Sequence, residues 1–422
     1  MTSAWVWFLS HPAAAALREA NDNNMQTQEK SKQRKITAVF FFLSGIMTAT
    51  WSSRIPDVQH RLGLNDAAWG TVLVAVPAGQ VSGLLFSSWL VTRFGSKRTV
   101  AAACVIASLL LFSLGVANLR LALMIALFFT GFIRTVINIS ANTRAVEVQA
   151  LYERAIISTF HGIWSVACFM AAGIGTMMIV LQVRPPLHFA IIAVACLIAG
   201  VFFFDRTRAD GAEISPGRPF FVKPDRYLLL LGVLAFCGMM GENTMFDWSV
   251  NYFRQVVHAS KGMVTLGYSC FIITMAIGRL IGDRLIHAYG HLDILKINAG
   301  LMAAGFFVAA SFPALIPAAI GFLLIGFGDS IIVPTLYALA ARSAHLRPAY
   351  AIGSVTLMGY LGFLTAPLIV GSISEAKGMQ WAFVLIGLFV LAMAMLVRPV
   401  RKLLDAQTQE IFKNQSMAPA GK

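Results

Sequence analysis

The sequence predicts an all-α membrane protein with twelve transmembrane helices in two pseudo-symmetric six-helix bundles, on three observations. The chain of 422 residues is 58% hydrophobic and only 12% charged, which leaves too little polar surface to cover a water-soluble fold of this size. Its apolar runs are long enough to cross a bilayer as helices, whereas the strands of a membrane barrel are short and alternating. The pattern Gly-Phe-x-charge at Gly131 recurs at Gly326, an offset of 195 residues, which indicates an internal repeat.

The predicted helices follow one another with short connections, and one connection is long. Residues 205–226 contain charges, prolines and glycines, which is typical of a linker between a first bundle at 36–204 and a second at 227–399. Residues 1–35 hold an apolar patch too short to span and without the leading charges of a signal peptide, so we expect a disordered or interfacial segment there, and a tail at 400–422. The helices span about 36–54, 66–91, 98–117, 119–142, 156–181, 187–204, 227–250, 263–286, 293–311, 315–339, 350–373 and 380–398.

The basic residues are distributed unevenly about these helices. Of 33 Lys and Arg, 24 fall on the side of the two termini and 7 on the opposite side, and Arg134 and Arg279 lie inside helices. Because cytoplasmic loops are enriched in Lys and Arg, this bias predicts that both termini and the linker lie in the cytoplasm. The net charge of +14 therefore reflects topology, and we expect no nucleic-acid partner.

Arg134 lies near the centre of the predicted fourth helix. An arginine at that depth costs roughly 2.5–3.5 kcal/mol on insertion scales, so it must face protein or water. Asn138 and Asn142 follow at i+4 and i+8 and share its stripe, which predicts a cavity wall. Asp329 is its repeat equivalent, and counting 1.5 Å per residue places both at roughly 21–22 Å depth. The two are either a structural pair that locks the bundles or, as we favour, cavity residues that interact in at least one conformation.

Two acidic residues lie on the predicted seventh helix. Glu242 has no evident cationic neighbour in the sequence. It is either a buried carboxyl group or a carboxylate in a water-filled vestibule. Burial disfavours the ionised form of a carboxyl group, and this is what a proton carrier requires. Asp247 lies nearer the interface beside Trp248, which favours a solvated acid next to a tryptophan of the interfacial belt.

Two further ionisable residues have competing interpretations. His161, about one turn into the fifth helix, is either a proton relay or, the favoured reading, a histidine hydrogen-bonded to a neighbouring helix. Arg279 lies within two turns of the end of the eighth helix, which favours snorkelling or pairing with Asp283. His161 and Asp247 remain candidate proton relays.

The loop after the second helix, Ser88-x3-Thr92-Arg93-Phe94-Gly95-Ser96-Lys97-Arg98, resembles the Gly-x3-Asp-Arg-x-Gly-x-Arg/Lys-Arg/Lys signature of the major facilitator superfamily. The resemblance extends over nearly all of residues 36–399, and it implies a gating loop formed by Arg93, Gly95, Lys97 and Arg98. Thr92 replaces the acid of the signature, which weakens the salt bridge attributed to that loop. Other motifs are similar to a bacterial inner-membrane branch near fucose-permease-like proteins: Trp51-Ser-Ser-Arg54-Ile-Pro56, Asn138-x3-Asn142, His161-Gly162-x-Trp164-Ser165, Glu242-x4-Asp247-Trp248 and Gly359-Tyr360-Leu-Gly362.

The predicted function is that of a secondary transporter. The sequence has no phosphate-binding loop, zinc-ligand spacing or catalytic triad, so we expect no enzyme and no cofactor. We expect a monomer that moves a small polar solute, sugar-like or an organic acid, by rocking its bundles around a midplane site. Asn243, Trp51 and Tyr360 complete the predicted cavity, where the aromatic residues either stack on substrate or serve packing.

The coupling ion is predicted to be the proton, carried by Asp329 or Glu242. Sodium needs several converging oxygen ligands, and Arg134 repels it. Two alternatives stand beside this function: a proton-driven efflux antiporter for drug-like compounds, and a non-transporting membrane sensor or scaffold. The fifth helix, with Ala171-Ala-Gly173-Ile-Gly175, lacks the Gly-Pro pair of many drug antiporters, which argues against efflux.

Overall fold

The computed structural model of the chain describes residues 12–152, 156–204, 225–343, 346 and 348–417. Throughout this part the regular secondary structure is helical, which confirms the predicted fold class. The helices are α1 Pro12–Arg61, α2 Asp66–Leu73, α3 Ala75–Phe94, α4 Ser96–Val116, α5 Arg120–Gln149, α6 Ile157–Val180, α7 Pro185–Phe204, α8 Arg226–Gln255, α9 Leu266–Tyr289, α10 His291–Ser311, α11 Leu315–Asp329, α12 Ile332–Ala340, α13 Pro348–Lys377 and α14 Met379–Met417.

These helices form twelve spans, because α2 continues into α3 and α11 continues into α12. Within the described ranges, eleven spans are long and apolar enough to cross a membrane by length and composition. The remaining span is α9, which carries Arg279, Asp283 and Arg284 in its second half. Large apolar side chains such as Leu85 and Trp89 are exposed on the outside of the bundle, where lipid covers them in a membrane protein.

Both interrupted spans have a proline just after the interruption. Pro77 has no N–H for the carbonyl of Leu73, where α2 ends, and Pro334 has none for the carbonyl of Ser330, just after α11. The carbonyl of Ser330 instead accepts a hydrogen bond of 3.3 Å from Nε of Arg279 on α9. The second interruption therefore supplies a backbone acceptor in the middle of the protein.

The internal repeat is visible at equivalent turns of the two halves. Gly95 separates α3 from α4 with φ 81° and ψ 154°, and Gly290 separates α9 from α10 with φ 78° and ψ 162°. Glycine adopts this left-handed φ without strain, whereas a β-carbon would oppose it. The same turn at the same place in each half supports the predicted pseudo-symmetry.

Small residues allow the helices of each bundle to approach closely. A β-carbon at Gly79 of α3 would collide with the carbonyl oxygen of Phe128 on α5. In the second bundle, a β-carbon at Gly326 of α11 would collide with the carbonyl oxygen of Phe271 on α9. Glycines at such crossings are typical of helix packing in membranes. The contacts fix the positions of α5 and α11, which carry Arg134 and Asp329.

The ends of the chain differ from the sequence prediction. Residues 1–11 lie outside the described part, and residues 12–35 continue α1 as helix, so the prediction of disorder is wrong for residues 12–35, whereas an interfacial position stays a prediction. Their alanines, glutamates, lysines and glutamines are strong helix formers, and neither Gly nor Pro interrupts them. The tail is likewise helical through Met417 in α14. Of the predicted linker, residues 205–224 lie outside the described part.

The two bundles are joined by polar contacts at the end that carries the α1–α2 connection, here called the closed end. Nδ2 of Asn251 on α8 donates a hydrogen bond of 2.6 Å to Oε1 of Gln59 on α1. Arg254 lies 3.0 Å from Asp57 in an ion pair between the same helices. The N–H of Asp66 on α2 donates to Oε2 of Glu375 on α13 at 3.1 Å.

The opposite end, which carries both ends of the described chain, is here called the terminal end. Its polar contacts join helices of the same bundle: Ser96 with Glu147 at 2.8 Å in the first, and Tyr227 with the carbonyl of Leu339 at 2.9 Å in the second. Among the described residues, these polar contacts join the two bundles at the closed end and join helices within one bundle at the terminal end.

Candidate functional site

Five ionisable side chains from both bundles lie close together near the middle of the spans. We call them the charged cluster: Arg134 on α5, Glu242 and Asp247 on α8, Arg279 on α9 and Asp329 on α11. Burial of several charges in a membrane protein is costly, and such groups mark substrate or ion pathways. The cluster is therefore the candidate site.

Glu242 and Arg279 form an ion pair within the second bundle. Nη2 of Arg279 lies 3.6 Å from Oε1 of Glu242, and their side chains are 31% and 13% exposed. The sequence prediction of a Glu242 without a cationic neighbour is therefore wrong. The prediction that Arg279 snorkels or pairs with Asp283 is also wrong, since Asp283 is exposed. The packing of α8 against α9 decides this pairing, and spacing along one helix does not reveal it.

Asp329 is the carboxyl group of the cluster without a direct partner. Its side chain is 2% exposed, and neither carboxylate oxygen has a hydrogen-bond partner among the described residues. It interacts electrostatically with Glu242 and Arg279. The environment that the sequence suggested for Glu242, burial without a paired cation, thus belongs to Asp329.

Arg134 faces the second bundle across an aromatic ring. Its guanidinium carbon lies 5.4 Å from the ring centre of Phe246 on α8, a cation–π distance. Within the described ranges this conformation contains no ion pair between Arg134 and Asp329, so their interaction stays a prediction for another conformation. Asn138 is exposed on the same stripe, and Nδ2 of Asn142 donates to its carbonyl oxygen at 2.8 Å and to its Oδ1 at 3.2 Å.

Asp247 is buried, which corrects the prediction of a solvated interfacial acid. Its side chain is 8% exposed, and Oδ2 accepts a hydrogen bond of 2.9 Å from Nδ2 of Asn243, one turn earlier on α8. Trp248 is fully buried and so does not belong to an interfacial belt. Asp247 also interacts electrostatically with Arg134. The whole of α8 is enclosed here because it contacts α1 of the other bundle as well as α9, α13 and α14 of its own.

Of the other predicted cavity residues, some lie at the charged cluster and others do not. Tyr360 on α13 is half-buried and interacts electrostatically with Arg134 and Glu242, so it lies at the cluster. Trp51 packs inside the first bundle, with its ring 6.3 Å from that of Trp69, away from this group. His161 on α6 makes an edge contact of 5.4 Å with the ring of Phe41 and interacts electrostatically with Arg279.

The predicted gating loop lies at the terminal end. Arg93 and Arg98 are exposed, Gly95 forms the turn, and Lys97 is buried. The acid that Thr92 fails to provide comes from α5: Oε2 of Glu147 accepts hydrogen bonds of 2.8 Å from Ser96 and from Arg144. The loop is thus tied to α5, the helix that carries Arg134. Its gating role stays a prediction.

Sequence reasoning missed Arg279, Tyr337 and Glu147. Tyr337 on α12 interacts electrostatically with Glu242. The signal for Arg279 was present, because Arg279 and Arg134 are the two arginines that the charge count assigns to neither side of the membrane. Tyr337 and Glu147 gave no signal, since a tyrosine and a helix-end glutamate have many ordinary roles.

A surface cavity of about 360 Å³ lies at the terminal end, away from the charged cluster. It belongs to the outer surface of the first bundle and has no part in the site. Its lining consists of Gln28, Ser31, Lys32, Lys35, Ile36 and Phe203.

The fold and the cluster together define a class. Two six-helix bundles that enclose buried charges, with the polar contacts described above joining them at the closed end, are typical of membrane transporters that alternate between two openings. The family model of the Major Facilitator Superfamily matches residues 37–350. The chain belongs to this superfamily of transporters and is a multi-pass membrane protein.

Similar proteins agree with this assignment. The chain is 30% identical over 370 residues to an uncharacterized MFS-type transporter of Yersinia pestis, covering 88% of this chain and 96% of the relative. Among solved structures, a mutant of the nucleoside transporter NupG superposes with a TM-score of 0.72 at 12% identity, covering 86% of this chain and 99% of the other. A variant of the E. coli fucose:proton symporter FucP gives a TM-score of 0.59 at 15% identity, with 87% and 98% covered. At these identities the two structures show the shared fold alone.

Proposed function

We propose that the protein is a proton-coupled secondary transporter that moves a small polar solute, sugar-like or an organic acid, across the bacterial inner membrane. One observation carries the proposal: Asp329 is a buried carboxyl group without a hydrogen-bond partner among the described residues, beside the Glu242–Arg279 ion pair. Such a group has no evident structural use, because an unpaired buried carboxyl destabilises the fold. Reversible protonation gives it one.

The proton step uses the two acids and Arg279. In this conformation Arg279 is paired with Glu242, whereas Asp329, which we take to carry the proton, has no ion-pair partner among the described residues. Arg279 interacts electrostatically with both acids. A shift of the Arg279 side chain from Glu242 to Asp329, within the second bundle, favours the ionised form of Asp329, and its proton passes to water between the bundles. The return of Arg279 to Glu242 restores the first state.

Alternating access follows from the contacts at the closed end. The Asn251–Gln59 hydrogen bond and the Arg254–Asp57 ion pair must break before that end opens. The excess of Lys and Arg on the side of the termini supports a cytoplasmic position for the terminal end. The present conformation then opens inward. Substrate reaches the charged cluster between the bundles, where Arg134, Asn138 and Tyr360 contribute polar groups.

Transport into proteoliposomes under an imposed pH gradient, with and without Na⁺, tests the proposal. Candidate neutral sugars and organic acids are screened with wild-type protein, and any accumulated solute is measured again with Asp329→Asn. We expect wild-type accumulation to follow the pH gradient and ignore Na⁺. Asp329→Asn should retain exchange of the solute but lose gradient-driven accumulation, because an amide carries no proton.

The matched control is Asp283→Asn, which removes an exposed carboxylate on α9. It should accumulate solute as the wild type does. Accumulation that follows Na⁺ and ignores the pH gradient would refute proton coupling. Undiminished accumulation by Asp329→Asn would show that this residue is not the carrier, and Glu242→Gln would then be the variant to examine.

A further inference from the structure

The counter-charge of Arg134 is missing from the protein itself. Each acid that interacts with it electrostatically already has a nearer partner: Glu242 is paired with Arg279, and Asp247 accepts a hydrogen bond from Asn243. Among the described residues, the one close contact recorded for the guanidinium is the face of Phe246 at 5.4 Å. The five N–H donors of this group are therefore available to a ligand.

The surroundings of Arg134 are rich in hydrogen-bond donors. Asn138, one turn further toward the terminal end, uses its oxygens to accept from Asn142. Its own amide N–H groups donate to no partner in the part of the chain that the structure describes, and its side chain is exposed. A planar guanidinium beside a free amide N–H₂ matches a group that only accepts hydrogen bonds, and a carboxylate accepts two parallel bonds from an arginine.

The acids of the second bundle do not offer a matching site for a cation. Asp329 is 2% exposed and Asp247 is 8% exposed. Glu242 is 13% exposed and holds Arg279. Within the cluster, then, two of the three acids are buried and the third is paired, whereas Asn138 beside Arg134 is exposed. The aromatic rings of Phe246 and Tyr360 border the same place, and they suit the apolar face of a ring or chain.

From this arrangement we infer that the substrate is a small monocarboxylate that carries hydroxyl groups, and that Arg134 binds its carboxylate with Asn138 alongside. The inference rests on the proposed function and narrows its substrate class. Arg134 is then a specificity-determining residue, because the carboxylate of the substrate supplies the negative charge that pairs with it. In the present conformation the close contact recorded for Arg134 among the described residues is the ring of Phe246, and substrate binding gives the guanidinium an ionic partner.

Thermal unfolding of the purified full-length protein tests the inference with probes matched in shape and different in charge. The monocarboxylates are gluconate, glucuronate and quinate, and the matched compounds are neutral glucose and glucuronamide and cationic glucosamine. We expect at least one monocarboxylate to raise the unfolding midpoint in a saturable manner and its matched compounds to have no effect. For that carboxylate, Arg134→Gln should weaken binding by about 10- to 100-fold, the usual value of a hydrogen bond to a charged group.

Two variants control for charge and for folding. Arg134→Lys keeps the positive charge without the planar fork and should bind with intermediate affinity. Arg184→Gln removes an exposed arginine from a loop and should bind like the wild type.

The inference is overturned if no monocarboxylate stabilises the protein, if glucuronamide or glucosamine stabilises it equally, or if Arg134→Gln binds the carboxylate unchanged. If a neutral or cationic probe binds and is then transported into proteoliposomes, the proposed function stands and only the carboxylate inference fails. If stabilising probes are never transported, the proposed function fails.

Discussion

The ion pair between Glu242 and Arg279 gives a direct test of how the charged cluster is balanced. Arg279→Gln removes the cation and leaves Glu242 buried beside Asp329, another acid. Glu242 then faces burial and a neighbouring acid without its cation, and both effects oppose the ionised carboxylate. We expect the variant to be less stable than the wild type, and the loss to be recovered in part when Glu242→Gln is added.

The structure sets the size of this loss. At 3.6 Å, two unit charges attract by roughly 4–5 kcal/mol at an effective dielectric constant of about 20. Removing one partner of a fully buried pair usually costs about 3–5 kcal/mol. Because the side chain of Arg279 is 31% exposed, solvent screens part of the attraction, and we expect about 2–3 kcal/mol. At about 2–4 °C per kcal/mol for a unit of the size of one bundle, the unfolding midpoint should fall by roughly 4–12 °C.

The assay is thermal unfolding of the purified protein in detergent, for Arg279→Gln, Glu242→Gln and the double variant. Arg284→Gln removes an exposed arginine from the same helix and should leave the midpoint unchanged. The double variant should be more stable than Arg279→Gln alone, since it no longer contains the carboxylate of Glu242 that lost its partner. Purely additive losses, or a midpoint for Arg279→Gln equal to that of the wild type, would refute the assigned pairing.

Two further predictions concern the closed end and the membrane potential. Arg254→Ala removes the ion pair with Asp57, which contributes about 0.2–1 kcal/mol because Arg254 is 41% exposed. The reporter is a cysteine at buried Thr265, introduced into a background without the native cysteines. An impermeant thiol reagent should modify this cysteine about 1.5- to 5-fold faster in the Arg254→Ala variant. Lys261→Ala is the control, and an unchanged rate would contradict a role for the pair in closure. Uptake of a monocarboxylate by proteoliposomes should depend on the pH gradient and not on a potential imposed with potassium and valinomycin; uptake driven by the potential alone would contradict this.

Much of the fold followed from elementary properties of the sequence. Length, apolar content and the offset between Gly131 and Gly326 were enough for twelve spans in two related halves. The cost of burying Arg134, together with Asn138 at i+4, predicted one wall of the site, and the role of that wall stays a prediction. Both arguments concern single helices, whose geometry fixes which residues share a face.

The pairing of charges could not be predicted in the same way. Glu242 and Arg279 lie on different helices, and their contact depends on the rotation of α8 against α9, which helix packing sets and neither segment encodes alone. Asp247 and Trp248 looked interfacial because they come late in α8, but that helix is packed on several sides. The helical residues 12–35 were missed for a different reason: they do not span, and the prediction counted apolar length where helix propensity was the stronger signal.

The charges of the cluster connect the proposed proton carrier with the inferred substrate. Protonation of Asp329 makes the charged cluster one unit more positive than it is with Asp329 ionised. A monocarboxylate at Arg134 adds one negative charge, which offsets that unit in the loaded, protonated cluster. The empty cluster with Asp329 ionised carries the same charge, so the two forms that reorient in a symport cycle are electrically equivalent. One complete cycle therefore moves no net charge across the membrane, because the carboxylate and the proton cross together.

A neutral substrate would instead carry one positive charge per cycle, and an imposed potential would drive its uptake. The dependence on potential therefore separates an anionic substrate from a neutral one even before the solute's binding pose is known.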